Sequence, residues 1–517
     1  MVTKLISVLQ KKERTALTIA AIMLVFSGTA KAVIHYDRNT EIVPGEGGEF
    51  REGVLGQPVF INPIAPVSDI DRDVLRLVFS NLVEVSDNIK KSADGRVWNV
   101  RLKENLFWHD GRRLTSDDVI FTINAIENPE SRSPLSQSFL NIKAERVSEL
   151  ELRFTLPGPY AFFEDDLLGS LEIIPKHIFA DIPIENFKLS NYKLKPVGSG
   201  PFKAVSYSQD KDGIIHSFSL EANKNYFGKK PNLSKFTFKF YKNEKELFQA
   251  YNLGDIDGFG LKTAESLGSG ELTIRHNLNF LKSLRYYTVF LNTVSGPKDE
   301  KVRAALSGSV EREKIVSDVF GSRAAPFYGP TEFSQVPSGK YDPSALKGIE
   351  LTVTIPDESF LAKTGQMLKE NWEALGAKIN LKALESRDQQ KILENNDYQA
   401  ILFGNTVKPS RDLLSFWHSS KRFYPGKNLS LYQNKKVDEK LESYQRNFDP
   451  DSRTTQLKII SDLVAADFPA VFLYSPDYLY VSSTTLGGFN GGKIISVPSD
   501  RLSEVENWFV KTKRVFK

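Results

Sequence analysis

The 517-residue sequence contains no cysteine. That absence excludes a disulfide scaffold, a thiol nucleophile and cysteine-ligated metal sites. It also excludes a lipid-modified cysteine as a membrane tether. Histidine is scarce, six in all, and His109, His177, His216, His276 and His418 lie scattered, without the short spacing of a metal site. No metal and no cofactor are expected. Gly-x-Ser-x-Gly and His-Glu-x-x-His are both missing. An exported hydrolase would therefore need a site assembled from dispersed residues. Excess charge is small, +4, and sits at the ends. Lys4, Lys11, Lys12 and Arg14 outweigh Glu13 at one end, and Lys511, Lys513, Arg514 and Lys517 crowd the other. The body between them is slightly acidic, which argues against a nucleic-acid partner.

What is present is an ordinary globular composition, 40% hydrophobic and 26% charged. The length suggests about three domains' worth of chain. Residues 15–30 are uncharged and mostly apolar and follow a basic run, the layout of an export signal. In one reading Ala30-Lys31-Ala32 suits signal peptidase, with cleavage before Val33. In the other, Lys31 snorkels and the span continues to Ile34 as a membrane anchor. Both place the body outside the cytoplasmic membrane, because basic residues stay inside. Residues 1–36 are thus a signal peptide or anchor. Residues 37–48, with Pro44-Gly45 and Gly47-Gly48, read as a linker.

The most informative stretch is 93–126. Trp98, Val100 and Leu102 alternate with Val97, Asn99, Arg101 and Lys103, a period of two that predicts a strand with those apolar residues on one face. Asp94-Gly95 and Asp110-Gly111 are turn dipeptides on either side. Thr115, with Asp118 three residues on, opens a helix whose apolar stripe is Val119, Ile120, Ile123 and Ile126. Taken alone, this is a hairpin and a helix with no functional content.

The same block resembles the signature of the family 5 extracellular solute-binding proteins, components of ABC importers for oligopeptides, dipeptides and nickel. The matching elements are Ala93, Asp94-Gly95, Trp98, Lys103-Glu104, Trp108-His109-Asp110-Gly111 and Thr115 to Val119. Gly198-Ser199-Gly200-Pro201-Phe202 matches a Gly-Thr-Gly-Pro-aromatic turn, with serine for threonine. Asn225 to Pro231, Gly254-Asp255-Ile256-Asp257, and Asn292 followed by Pro297 and two helices continue the resemblance, which covers about 48–481. Residues 84–92 are too short for the loop and strand usual before the signature.

The resemblance implies an α/β, two-lobed periplasmic-binding-protein-like fold (type II, cluster C) with an extra domain inserted in the first lobe. Lobe I is expected from 49–63, 172–280 and 486–517, the inserted domain from 64–171, and lobe II from 281–485. It implies a monomeric, non-enzymatic carrier that closes on a peptide by hinge motion and delivers it to membrane permease subunits. Nickel, haem or an oligosaccharide are alternative ligands, and an exported hydrolase is a weaker one. The cleft is expected to be lined by Phe60, Asn62, Tyr286, Asn405, Thr406, Val407 and Asp412, with Trp417 behind them or in the core. Where peptide-binding members place an acid for the ligand's ammonium, an ungapped match puts Lys408. Either Asp412 takes that role, or a free amino terminus is not required.

Overall fold

The structure is a computed structural model. It describes residues 10–66, 68–263, 267, 271–334 and 341–517; Lys4 lies outside them. Three large sheets carry the body. A seven-stranded mixed sheet has the order His276–Leu281, Tyr478–Ser483, Gly258–Leu261, Glu49–Leu55, Lys235–Tyr241, Ile215–Ala222, Phe202–Gln209. A six-stranded mixed sheet runs Ala324–Pro326, Ala470–Pro476, Arg285–Leu291, Ala400–Thr406, Glu350–Pro356, Lys378–Leu384. A four-stranded antiparallel sheet runs Ser86–Lys91, Val97–Leu102, Glu151–Thr155, Lys143–Arg146. The first two are the cores of lobes I and II; the third belongs to the inserted segment.

Local patterning explains the signature region. In Val97–Leu102 the residues Trp98, Val100 and Leu102 are buried and the ones between them are half-buried or exposed. Each buried large apolar side chain contributes about 1.5–3 kcal/mol. Thr115 N donates to Asp118 Oδ2 at 2.9 Å, opening the helix Ser116–Glu127. Short as it is, the 84–92 region does hold a strand, Ser86–Lys91, paired antiparallel with Val97–Leu102. The helix Asp69–Val78 ends at Phe79, and a short second helix follows at Leu82–Val85, with Asn81 capping.

Two expectations are corrected. Residues 37–48 are not a free linker. The apolar helix Lys11–Asn39 runs directly into the strand Thr40–Gly45, which pairs antiparallel with Lys511–Phe516 at the other end of the chain. Arg514 bonds Asp37 at 2.6 Å, and the rings of Tyr36 and Phe516 meet edge to face, so the pairing has side-chain support. The second change concerns lobe II. Tyr478–Ser483 pairs between His276–Leu281 and Gly258–Leu261, so the chain has returned to the first sheet by residue 478 rather than after 485. A helix of this length and hydropathy at the N-terminus can cross a membrane.

Candidate functional site: the cleft at the crossing strands

The backbone passes between the two large sheets at 282–284, and returns at Asp477. The two crossings are tied together. Lys282 Nζ lies 3.0 Å from Asp477 Oδ1. Ser475 Oγ donates to the carbonyls of Ser283 and Arg285 at 2.9 and 2.8 Å. A segment near the C-terminus braces them from lobe I: Leu284 N donates to Ile495 O at 2.8 Å, and Ile495 N to Lys282 O at 2.9 Å. Two short connections, each at the end of a strand, are the geometry of a hinge.

Strand alternation sorts the residues beyond the crossing onto two faces. On the face of Arg285 and Tyr287 is a small interlobe cavity of about 50 Å³, with Lys262 and Ser496 from lobe I, Asp69 from the start of the expected inserted domain, and Arg285, Tyr287 and Thr406 from lobe II. Lys262 spans the gap to Glu358, 3.5 Å away. On the face of Tyr286 is a larger cavity of about 270 Å³, lined by Tyr286, Phe327, Val407 and Arg411 among others. Arg411 closes onto Glu332 at 2.6 Å, and the rings of Tyr286 and Phe327 stack 4.9 Å apart. Burial raises the Tyr286 phenol above its ordinary range.

Ala400–Thr406 has one complete ladder and one incomplete one. Arg285–Leu291 pairs along its whole length, 285 with 406 through 291 with 400. Glu350–Pro356 pairs on the other side at Ala400 and Ile401. Among the described residues no strand continues that side along 402–406. The strand therefore offers an unpaired edge beside the crossing.

Of the expected residues, the structure gathers Tyr286, Asn405, Thr406 and Val407 here. Asn405 Nδ2 donates to the Tyr286 hydroxyl at 3.3 Å. Trp417 is fully buried against Phe290 and Phe472, which is core packing. Phe60 and Asn62 are set apart in a buried loop of lobe I. Asp71 Oδ1 accepts from the backbone of Val59 and Phe60, and Asn62 Oδ1 accepts from Ile64 N, so the loop's polar groups are consumed internally. Phe60 lines a separate cavity with Arg132 and Lys188.

Asp412 also lies elsewhere. Its Oδ2 accepts from Gln445 at 2.7 Å and from the Tyr160 hydroxyl at 3.2 Å; its Oδ1 accepts from Leu414 N. Lys408 Nζ donates to Asp166 O at 2.9 Å. Both residues hold the inserted segment rather than facing the cavities. Ser410 Oγ donates to Asp166 Oδ2 at 2.7 Å in the same cluster, and burial pushes the Asp166 carboxyl up to about 6. Residues missed from sequence are Arg285, Lys262, Asp69 and Ser496. The one available signal was Arg285, a charge at the head of an otherwise apolar strand.

The signature histidine is structural. His109 Nε2 donates to Gly200 O at 3.1 Å while Nδ1 accepts from Gly198 N at 3.2 Å. Burial pushes its pKa down to about 4, so it is neutral. A methyl group on Gly198 would stand 1.9 Å from Val78 O, which explains the glycine there. His177 bonds Asp110 at 2.7 Å. No group of three or more metal-ligating side chains forms among the described residues.

Comparison with known proteins gives a consistent picture. The sequence profile of the bacterial extracellular solute-binding proteins, family 5 (middle region), matches residues 84–423. The oligopeptide-binding protein AppA of Bacillus subtilis is 24% identical, covering 97% of this chain and 99% of its own. Its structure in complex with a nonapeptide superposes with a TM-score of 0.75 at 23% identity, covering 91% of this chain and 100% of AppA. The ABC transporter substrate-binding protein CtaP of Listeria monocytogenes gives a TM-score of 0.77 at 25% identity, over 90% of this chain and 100% of CtaP. NikZ of Campylobacter jejuni, in complex with Ni(L-His), gives 0.73 at 23% identity, over 89% and 99%.

Proposed function

The chain belongs to the bacterial extracellular solute-binding proteins of family 5, and from that premise we propose that it captures peptides between its lobes for an ABC importer. The observation that carries this is the unpaired edge along 402–406 of the strand Ala400–Thr406, beside the crossing strands. An extended peptide added to that edge gains main-chain hydrogen bonds whatever its side chains. Tolerance of sequence is what a nutrient carrier needs. AppA, bound to a nonapeptide in its structure, shares the fold over nearly its whole length. NikZ, in complex with Ni(L-His), shares the fold as well, so nickel is the alternative to weigh against peptide.

The mechanism is closure about 282–284 and Asp477. The small interlobe cavity is too tight for a peptide, so the lobes part to admit one and close over it. The closed form is then the signal read by the permease, since a ligand that contacts both lobes shifts the population toward it. The protein performs no chemistry on its cargo and acts as a monomer outside the cytoplasmic membrane. Its apolar helix, Lys11–Asn39, serves as export signal or anchor.

Small-angle scattering tests the reading. A random peptide mixture is expected to reduce the radius of gyration. Compaction with nickel or an oligosaccharide mixture, and none with peptides, would replace the ligand class.

A further inference from the structure

The small cavity at the crossing holds a charge without a counter-charge. Asp69 pairs with Arg72 at 3.0 Å, and Lys262 pairs with Glu358 at 3.5 Å. Arg285 has no ion-pair partner among the described residues. Its guanidinium lies over the ring of Tyr287, 5.9 Å from the centroid, and its Nε is buried without a hydrogen bond. Ser496 lines the same cavity, and its Oγ is buried without a hydrogen bond as well. Its backbone N–H is engaged elsewhere, donating to Asp500 Oδ2 at 2.8 Å.

Two unsatisfied donors bordering one cavity are uncommon, because leaving a buried donor unpaired is costly. Arg285 begins the central strand of lobe II. Ser496 belongs to the lobe I segment that braces the crossing through Ile495. Each lobe therefore contributes one donor, and one of the two is cationic.

We propose that Arg285 and Ser496 form a carboxylate-binding subsite that straddles the lobes and selects acidic ligands or free C-termini. This rests on the solute-binding reading and names the ligand's chemistry. A carboxylate accepts from a guanidinium and a hydroxyl at once, and charge-assisted bonds are the stronger kind. Its room is limited to a head group, so the remainder of the ligand lies outward along the edge of Ala400–Thr406. Because the two donors come from different lobes, an anion held by both favours the closed arrangement. Recognition is thus anchored at an acid group, in keeping with Lys408 and Asp412 being occupied by the inserted segment.

The test is calorimetry with four probes: random pentapeptides lacking Asp and Glu, as free acids and as C-terminal amides; amidated pentapeptides containing Glu; and sodium succinate or gluconate. Wild type is expected to favour a carboxylate-bearing probe over its amide counterpart by about tenfold. Arg285→Met should abolish the preference, Arg285→Lys should restore part of it, and Ser496→Ala should weaken it by a few-fold. Preference for free acids assigns the C-terminus, and preference for Glu-containing amides assigns a side chain. If the small carboxylates bind in an Arg285-dependent way and no peptide does, the subsite stands and the peptide reading fails. Acids and amides binding alike in wild type and Arg285→Met overturn the subsite. So does the absence of Arg285-dependent binding by every probe.

Discussion

The inserted segment makes two junctions of opposite character. Toward lobe I it shares a continuous apolar core: Trp98, Val100, Leu102 and Phe154 pack in one cluster with Phe50, Phe236 and Trp508. Backbone reaches backbone there, with His109 clamped on Gly198 and Gly200. Toward lobe II the contact is mostly polar. Asp166, Ser410, Asp412, Lys408 and Gln445 exchange hydrogen bonds around Tyr160, and Ala161 N donates to Gln445 O at 2.7 Å. Two aromatic contacts cross as well: Phe162 enters the lobe II core beside Tyr444 and under Arg453, and Phe448 of lobe II packs on Trp98. Apolar burial is lost whole on separation, whereas a polar contact exchanges for water at about 0.5–1.5 kcal/mol per bond. The first junction is therefore the stronger, and the second is the one expected to yield, which suits an appendage on one lobe of a closing carrier.

The largest effect expected lies on the stronger side. Arg501 is fully buried between Glu52 and Asp73, at 2.7 and 2.8 Å, and Tyr480 donates to Glu52 at 2.7 Å. Burial pushes both carboxyls up while the guanidinium pulls them back. Arg501→Met strands them, and breaking a buried pair from one side costs about 3–5 kcal/mol. Guanidinium unfolding should show that loss. A loss under about 1 kcal/mol would mean that this network does not hold lobe I together.

His109 gives the next effect, with a definite sign. Its folded pKa is near 4, below the ordinary 6.5. Below about pH 6.5 the unfolded chain takes up a proton that the folded chain refuses. Stability therefore falls as pH drops from about 6.5 to 4, by up to about 3 kcal/mol, and is flat above. Urea midpoints at pH 7.5 and 4.5 check this. His109→Gln keeps a donor and an acceptor for Gly200 and Gly198 and should remove most of the slope. An unchanged slope would place the acid sensitivity elsewhere.

Local features were legible in the sequence and distant ones were not. Alternation around Trp98 and the pairing of Thr115 with Asp118 act over a few residues, so strand and helix were foreseen. The resemblance supplied the lobes, including the run Tyr286, Asn405, Thr406 and Val407. Strand Thr40–Gly45 was hidden because its partner lies at the opposite terminus, and Pro44-Gly45 alone looks like a turn. The Glu52–Arg501–Asp73 network joins three distant segments and leaves no local pattern. Arg285 and Ser496 meet at one cavity only through the crossing strands. Asp412 was expected in the cleft, since nothing local shows that Tyr160 and Gln445 engage it.

The smallest effect should appear at the weaker junction, with the opposite pH sign. Asp166 faces Lys408, Ser410, Tyr160, Asp412 and Asp165, and its carboxyl is held near 6 against an ordinary 3.8 by burial, with Asp412 and Asp165 adding to the rise. A raised acid favours the buried, protonated form. Docking of the inserted segment on lobe II should thus tighten as pH falls from about 6 toward 4 and be weakest above 6, where His109 is indifferent. Asp166→Asn keeps an acceptor for Ser410 and Tyr160 without the charge. At pH 7.5 it should strengthen docking by about 1–2 kcal/mol, with unfolding midpoints nearly unchanged. The lack of native cysteine makes the measurement direct: spin labels on Lys90→Cys and Lys391→Cys, both exposed, report the separation of the inserted segment from lobe II. The docked population should rise on acidification in the labelled parent and be high and pH-independent with Asp166→Asn. If both proteins respond to pH alike, Asp166 does not govern this contact. If neither responds and both stay docked, the junction is as firm as the one on lobe I, and the comparison between the two fails.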